Sequence, residues 1–129
     1  MLCGIFAVVG HMFPVYLVFK GGKGVATGLG VFLYLSPPAI GISLLVFVAA
    51  VGLSGFVSAG SLLASGLFPL WLLLLEEPVG PVVTGVIIAA LIWAKHHENI
   101  GRLIRGEEKS WKKKPPAAPD TTADDRYHD

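Results

Sequence analysis

The sequence predicts an all-α protein, a polytopic bundle of about five transmembrane helices. Hydrophobic residues make up 53% of the 129 residues and only 15% are charged, a more apolar composition than soluble domains of this size have. The charges are also segregated, because fifteen of the nineteen lie between Lys95 and Asp129. No stretch alternates apolar and polar residues with period two, so strands are not expected.

Five apolar segments are predicted to form the helices. His11 and Pro14 interrupt the first segment, and Pro37-Pro38 ends the second because proline cannot continue a helix. The second segment would rise about 18 Å, whereas the hydrocarbon core is about 30 Å thick. Irregular backbone at that depth requires a lining of protein or a water-filled cavity, so this helix is expected to begin at a sheltered polar site. The predicted segments are 2–19, 25–36, 39–53, 55–75 and 79–94.

The loop charges predict an orientation. If the loop with Lys20 and Lys23 is cytoplasmic, successive crossings place Lys95 and the residues after it on the same side. Glu76 and Glu77 then lie on the opposite side, as the positive-inside rule expects. The sequence therefore predicts a multi-pass membrane protein with its site and its C-terminal tail in the cytoplasm.

The chain is expected to divide into a transmembrane core, residues 1–105, and a cytoplasmic tail, residues 106–129. From Lys109 onward the tail is poor in apolar residues and rich in proline and aspartate, which is typical of disorder. Its lysines either attract anionic membrane lipids or only fix the topology. Basic residues form no nucleic-acid-binding surface. The lone Cys3 and the absence of a carboxylate cluster indicate no metal site, and no cofactor is expected.

Residues 10–30, GHMFPVYLVFKGGKGVATGLG, place two lysines and a glycine-rich loop inside an otherwise apolar stretch. Glycines let successive backbone N–H groups converge on one oxyanion, and the free N–H groups of the following helix add to that field. The spacing excludes a nucleotide P-loop, because Leu17 stands where that motif requires glycine. The alternative is an ordinary turn whose lysines only set orientation. The residues predicted to bind phosphate here are Lys20, Gly21, Gly22, Lys23, Gly24 and Thr27.

A second polar cluster ends the last apolar segment. His96, Asn99 and Arg102 are three residues apart and would share one helix face. An imidazole can move a proton, an amide can donate to an oxyanion and a guanidinium can hold phosphate. The alternative is a solvated helix end that serves as an anchor. His11, alone in an apolar helix, is more typical of a structural residue.

The two clusters resemble signatures of one family. Residues 10–30 resemble the second signature, and HHENIGRLIRGEE at 96–108 the third, of the bacterial membrane-integral glycerol-3-phosphate acyltransferases that use acyl phosphate as donor. The resemblance implies transfer of a fatty acyl group from acyl phosphate to the 1-position of glycerol 3-phosphate, giving lysophosphatidic acid and phosphate in phospholipid synthesis. It also implies a soluble partner enzyme that produces acyl phosphate.

The same resemblance implies roles for individual residues. The loop with Lys23 would bind substrate phosphate, together with Arg102, and His96 and Asn99 would take part in catalysis. Glu108, and with it His11, would support the site. Acyl phosphate is already activated, so no serine or cysteine nucleophile is required.

The chain departs from the family in one respect. The first signature, a glycine-serine element followed by an asparagine-arginine element, is absent. We therefore interpret the chain as an N-terminally truncated member that carries only part of a larger helical bundle and is inactive alone. Two other interpretations remain: a non-enzymatic transport subunit that binds an organic phosphate on the same loop, and a structural remnant without ligands.

Overall fold

A computed structural model describes residues 1–13 and 22–112, and this part of the chain is helical with short connections. The all-α class is therefore confirmed. Pro14, Lys20, Gly21 and the tail from residue 113 onward lie outside the described residues. The helices are α1 (Leu2–Met12), α2 (Val25–Leu35), α3 (Pro37–Ser54), α4 (Val57–Leu74), α5 (Val79–Lys95) and α6 (His97–Ile104).

Two of these helices, α3 and α4, are long and apolar enough to cross a membrane. A third span results if α5 and α6, which are bent by 60° at their junction, are taken together. Helices α1 and α2 have 11 residues each and rise only about 16 Å. The short second segment noted in the sequence is thus retained in the structure.

Local sequence signals fix both ends of α3. The helix begins at Pro37, two residues before its predicted start, because proline is tolerated in a first turn where its missing N–H is not needed. The Ser36 side chain accepts a hydrogen bond from the Ala39 N–H (3.4 Å) and caps the helix. Gly55 ends α3 in the left-handed conformation (φ +79°), so α4 begins at Val57 rather than at the predicted residue 55.

The helices pack closely around an apolar core. The rings of Phe32 on α2 and Phe68 on α4 stack with their centroids 3.8 Å apart. Glycine allows α3 and α4 to approach, because a Cβ atom on Gly60 would lie 2.5 Å from the Val51 side chain. Gly28 does the same for α2, where a Cβ atom would lie 3.1 Å from Ile92 of α5.

Three parts of the chain meet at one end of this bundle. Lys23 contacts Asn99, and the Trp111 N–H donates to the Gly55 carbonyl (3.1 Å). We call residues 106–112 the strap, because they run from the end of α6 back to the α3–α4 turn. This end of the bundle carries the polar residues described next.

Candidate functional site

The two polar clusters of the sequence meet in the structure. Lys23 precedes Gly24, whose left-handed conformation (φ +74°) starts α2. Asn99 lies on α6 and is 4% exposed. The Lys23 ammonium donates a hydrogen bond to Asn99 Oδ1 (2.5 Å), across 76 residues of sequence.

His96 is buried at the bend between α5 and α6, with 2% of its surface exposed. Its Nδ1 atom lies 2.8 Å from the Ile92 carbonyl oxygen. A carbonyl oxygen only accepts, so Nδ1 carries the proton, and in the neutral ring Nε2 has the free lone pair. The neighbouring His97 is exposed, and its Nδ1 atom lies 2.8 Å from the Ala94 carbonyl oxygen of α5.

Glu108 on the strap joins α4 and α6. Its Oε1 atom accepts hydrogen bonds from Ser58 Oγ (2.7 Å) and Asn99 Nδ2 (2.6 Å). Its Oε2 atom accepts one from Arg102 Nε (2.7 Å), and only 8% of the Glu108 side chain is exposed. The carboxylate therefore ties two helices to the strap.

Burial alone would raise the pKa of Glu108. The hydrogen bonds from Ser58, Arg102 and Asn99, together with the positive charge of Arg102, outweigh it and lower the pKa from 4.5 to about 2. Glu108 is therefore a carboxylate at neutral pH and acts here as a hydrogen-bond acceptor.

A cavity of about 490 Å³ opens beside these residues. Four of the residues predicted for the site line it: Lys23, His96, Asn99 and Glu108. Three further polar residues, which were not predicted, also line it: Ser58, Ser61 and Lys109. Ionisable groups of both signs and amide and hydroxyl groups thus face one space of small-molecule size.

A second, apolar cavity of about 130 Å³ adjoins the first. The two share the lining residues Val25, Phe47 and Ser61, and the second continues between α2, α3 and α4 past Leu29 and Phe32. A molecule with a polar head and an apolar chain could therefore occupy both.

The glycine loop lies against the last turn of α1. A Cβ atom on Gly22 would lie 2.7 Å from His11 Nε2, and one on Gly24 would lie 2.9 Å from the Met12 side chain. Neither position has room for a larger residue unless the His11 or the Met12 side chain shifts. His11, predicted as a supporting residue, is thus adjacent to the loop.

Four described residues that were predicted to bind phosphate are not among those that line the larger cavity: Gly22, Gly24, Thr27 and Arg102. Thr27 lies on the first turn of α2, half-buried. The Arg102 guanidinium contacts Glu108 and lies 3.9 Å from Glu98. Lys20 and Gly21 lie outside the described residues.

Ser58 and Ser61 carried no local signal of a role in the site. Serines in an apolar helix are typical of helix packing, and Ser61 does donate to the Val57 carbonyl of its own helix. The contact of Ser58 with Glu108 arises only because the strap returns 50 residues later. Among residues 1–13 and 22–112, no three His, Cys, Asp or Glu side chains are grouped to hold a metal ion.

Comparisons with known proteins agree with the resemblance drawn from the two clusters. The model of the family described as "Glycerol-3-phosphate acyltransferase" matches residues 1–106. A relative of that name from Desulfotalea psychrophila is 67% identical over 113 residues, covering 88% of this chain and 57% of its own length. One from Syntrophomonas wolfei is 47% identical over 108 residues, covering 84% of this chain and 55% of its own length.

Two solved structures are similar as well. Both are of PlsY, an integral membrane glycerol 3-phosphate acyltransferase. The glycerol 3-phosphate form is 41% identical with a TM-score of 0.78, covering 81% of this chain and 52% of that one. The lysophosphatidic acid form is 42% identical with a TM-score of 0.77, covering 80% of this chain and 53% of that one. The chain thus spans about half the length of the proteins it matches.

Proposed function

Because this chain belongs to the glycerol-3-phosphate acyltransferase family, we propose that the whole protein transfers a fatty acyl group from acyl phosphate to the 1-position of glycerol 3-phosphate. The products are lysophosphatidic acid and phosphate, in phospholipid synthesis. The observation that carries this proposal is the contact of Lys23 with Asn99 at a cavity that His96 also lines.

The reaction requires no covalent intermediate with the protein. The glycerol hydroxyl oxygen attacks the acyl carbonyl carbon and forms the ester bond. The bond between that carbon and the phosphate oxygen breaks, phosphate leaves with the electron pair, and the hydroxyl proton passes to a base. Since acyl phosphate is an activated mixed anhydride, holding the two reactants together supplies much of the rate.

The residues around the larger cavity can share this work. Lys23 and the N–H groups that begin α2 bind a substrate phosphate, with Gly22 and Gly24 giving close approach of the backbone; Lys20, Gly21 and Thr27 are proposed to contribute to the same loop. His96 Nε2 accepts the hydroxyl proton. Asn99 donates one of its two amide hydrogens to Glu108, which leaves the other for the developing oxyanion.

Arg102 serves this site through Glu108. Its guanidinium is engaged by that carboxylate at 2.7 Å, so it holds Glu108 ionised and in place. We propose this role in addition to the phosphate binding predicted from the sequence. The adjoining apolar cavity past Leu29 and Phe32 supports a fatty acyl chain as the group transferred.

The proposed location is the bacterial inner membrane, with the site facing the cytoplasm. The basic residues Lys23, Lys109 and Lys112 all lie at the end of the bundle that carries the site, which supports a cytoplasmic side by the positive-inside rule. A soluble enzyme that produces acyl phosphate would deliver its product there. The division into a core of residues 1–105 and a tail of residues 106–129 remains a proposal, and the strap is the described part of that tail.

The activity can be tested with a chimera. The segment that precedes the matched region in the Desulfotalea psychrophila relative is fused before Met1, and the purified protein is given acyl phosphate and radiolabelled glycerol 3-phosphate. We expect labelled lysophosphatidic acid from the chimera and none from residues 1–129 alone. A folded chimera that binds glycerol 3-phosphate without turnover would contradict the enzyme and favour a transport subunit.

Two variants of the chimera test the role of His96. His96→Gln keeps a polar side chain but cannot accept the proton at Nε2, so kcat should fall about 100-fold or more. His97→Gln, one residue away on an exposed position, is the matched control and should stay within about twofold of the parent, since His97 does not line the cavity. Undiminished turnover by His96→Gln would remove the role as base.

A further inference from the structure

Glu108 is held by the strap, which is fixed at both of its ends. At the α6 end, the Glu107 N–H donates to the Arg102 carbonyl (2.8 Å). At the α3–α4 turn, the Trp111 N–H donates to the Gly55 carbonyl (3.1 Å) and the Lys112 ammonium to the Gly52 carbonyl (2.6 Å). The strap is therefore a fixed segment with Glu108 near its middle.

Ser58 is the residue of α4 that donates a hydrogen bond to the Glu108 carboxylate. It lies in the first turn of α4, is 7% exposed, and donates to Glu108 Oε1 at 2.7 Å. That oxygen also accepts from Asn99 Nδ2, so Ser58 determines where the oxygen stands relative to the amide. A hydrogen bond to a charged group is stronger than one between neutral groups.

The position of this oxygen sets the orientation of Asn99. With Nδ2 directed at Glu108, the amide oxygen is directed at the Lys23 ammonium. The flipped amide would set its NH₂ group against the ammonium and its oxygen against the carboxylate, and both contacts would be repulsive. A series of hydrogen bonds therefore connects Ser58 to Lys23 through Glu108 and Asn99.

We infer that Ser58 is a positioning residue, which fixes the Lys23 ammonium in the cavity by way of Glu108 and Asn99. Ser58 need not touch the reacting atoms for this. The inference rests on the proposed function, in which Lys23 binds a substrate phosphate. It adds a residue of α4 to a site that the sequence places on the glycine loop and α6.

The first test is kinetic and uses the chimera. Ser58→Ala should raise KM for glycerol 3-phosphate about fivefold, because the phosphate loses a fixed cation. The fall in kcat should be smaller, because Asn99 keeps its hydrogen bonds to Glu108 and Lys23. A merely structural role would reduce the amount of folded enzyme, lowering the apparent kcat and leaving KM unchanged. An unchanged KM would overturn the inference.

Two further variants make the result specific. Ser58→Thr keeps the hydroxyl group and should restore the parent KM. Thr84→Val removes a buried hydroxyl that bonds only the Gly80 carbonyl of its own helix (2.9 Å), at the far end of α5 from His96, and should leave both constants unchanged. A Ser58→Thr enzyme as impaired as Ser58→Ala would overturn the inference.

A second readout does not depend on turnover. Arg102, Asn99, Lys23 and His96 face Glu108 from the neighbouring elements and stay unchanged in the variant. Loss of the Ser58 hydrogen bond should shift the acid-induced loss of stability of residues 1–129 to higher pH, and Ser58→Thr should reverse the shift. An inactive parent chimera would refute the proposed function, while an unshifted acid profile would refute the role of Ser58.

Discussion

At the scale of single residues, Glu108 organises the site. It accepts hydrogen bonds from Ser58, Asn99 and Arg102 with 8% of its side chain exposed, so its charge is stabilised by contacts that form only in the folded chain. The spacing and chemistry of the side chains predicted that Lys23, His96 and Asn99 share one site, and all three line the larger cavity. The same spacing and chemistry carry no signal for Ser58, because its partner lies 50 residues away in sequence.

Glu108 makes the stability of the chain depend on pH. Its folded pKa of about 2 lies below the 4.5 of the unfolded group, so the carboxylate stabilises the fold fully above pH 4.5 and progressively less as the pH falls toward 2. Glu108→Gln should therefore lower the thermal unfolding temperature at about pH 6, and this difference from the parent should shrink at about pH 3.

The neighbouring Glu107 supplies the control for that measurement. It pairs with Arg105, and both side chains are 60% exposed, where ion pairs contribute little. Glu107→Gln should follow the parent at both pH values in detergent solution. A Glu108→Gln variant with the same deficit at both values would show that the ionised carboxylate is not what stabilises the fold.

At the scale of helices, the ends and the contacts were not equally predictable. Proline and glycine signals placed most boundaries within two residues, as at Pro37 and Gly55. The pairing of helices was not predictable, because an apolar helix in a membrane carries no polar stripe to indicate which face packs on protein. The close approach of α3 and α4 depends on Gly60, which the sequence does not distinguish from other glycines.

Gly60→Ala should destabilise the bundle by about 1–3 kcal/mol through overpacking. The new methyl group would lie 2.5 Å from the Val51 side chain and 3.1 Å from the Phe47 carbonyl oxygen. That oxygen belongs to the backbone of α3, so a side-chain rotation cannot relieve the contact. Gly41→Ala on α3 is the matched control, since nothing lies within 4 Å of its Cβ position.

Unfolding in a denaturing detergent can measure both glycine variants. Gly41→Ala should leave stability unchanged or raise it by up to about 1 kcal/mol, as expected for alanine in a helix. Equal behaviour of the two variants would mean that α3 and α4 do not meet at Gly60.

At the scale of the whole molecule, the α4–α5 turn and the strap lie at opposite ends of the bundle. Helix α4 has 18 residues and rises about 27 Å, close to the thickness of the hydrocarbon core. The charge pattern alone predicted this separation of the basic loop from Glu76 and Glu77. The matched proteins are about twice as long as this chain. The surface that their unmatched part would cover was not predictable from this chain.

Cysteine labelling tests the proposed orientation. Two single-cysteine variants are made in a Cys3→Ser background: Pro78→Cys at the α4–α5 turn and Arg105→Cys beside the strap. Pro78 and Arg105 are both exposed. In intact spheroplasts, a membrane-impermeant maleimide should label Pro78→Cys, and it should label Arg105→Cys only after the membrane is opened. The reverse pattern would place the site outside the cell.

The partner of Lys23 also has a consequence for how ligands arrive. An amide oxygen holds the ammonium group without neutralising it, whereas a carboxylate there would cancel its field. The cation therefore attracts anions from solution before contact, and added electrolyte shields such an attraction over distances of about 10 Å at 0.1 M. Capture of a doubly charged phosphate ester should accordingly slow as the ionic strength rises.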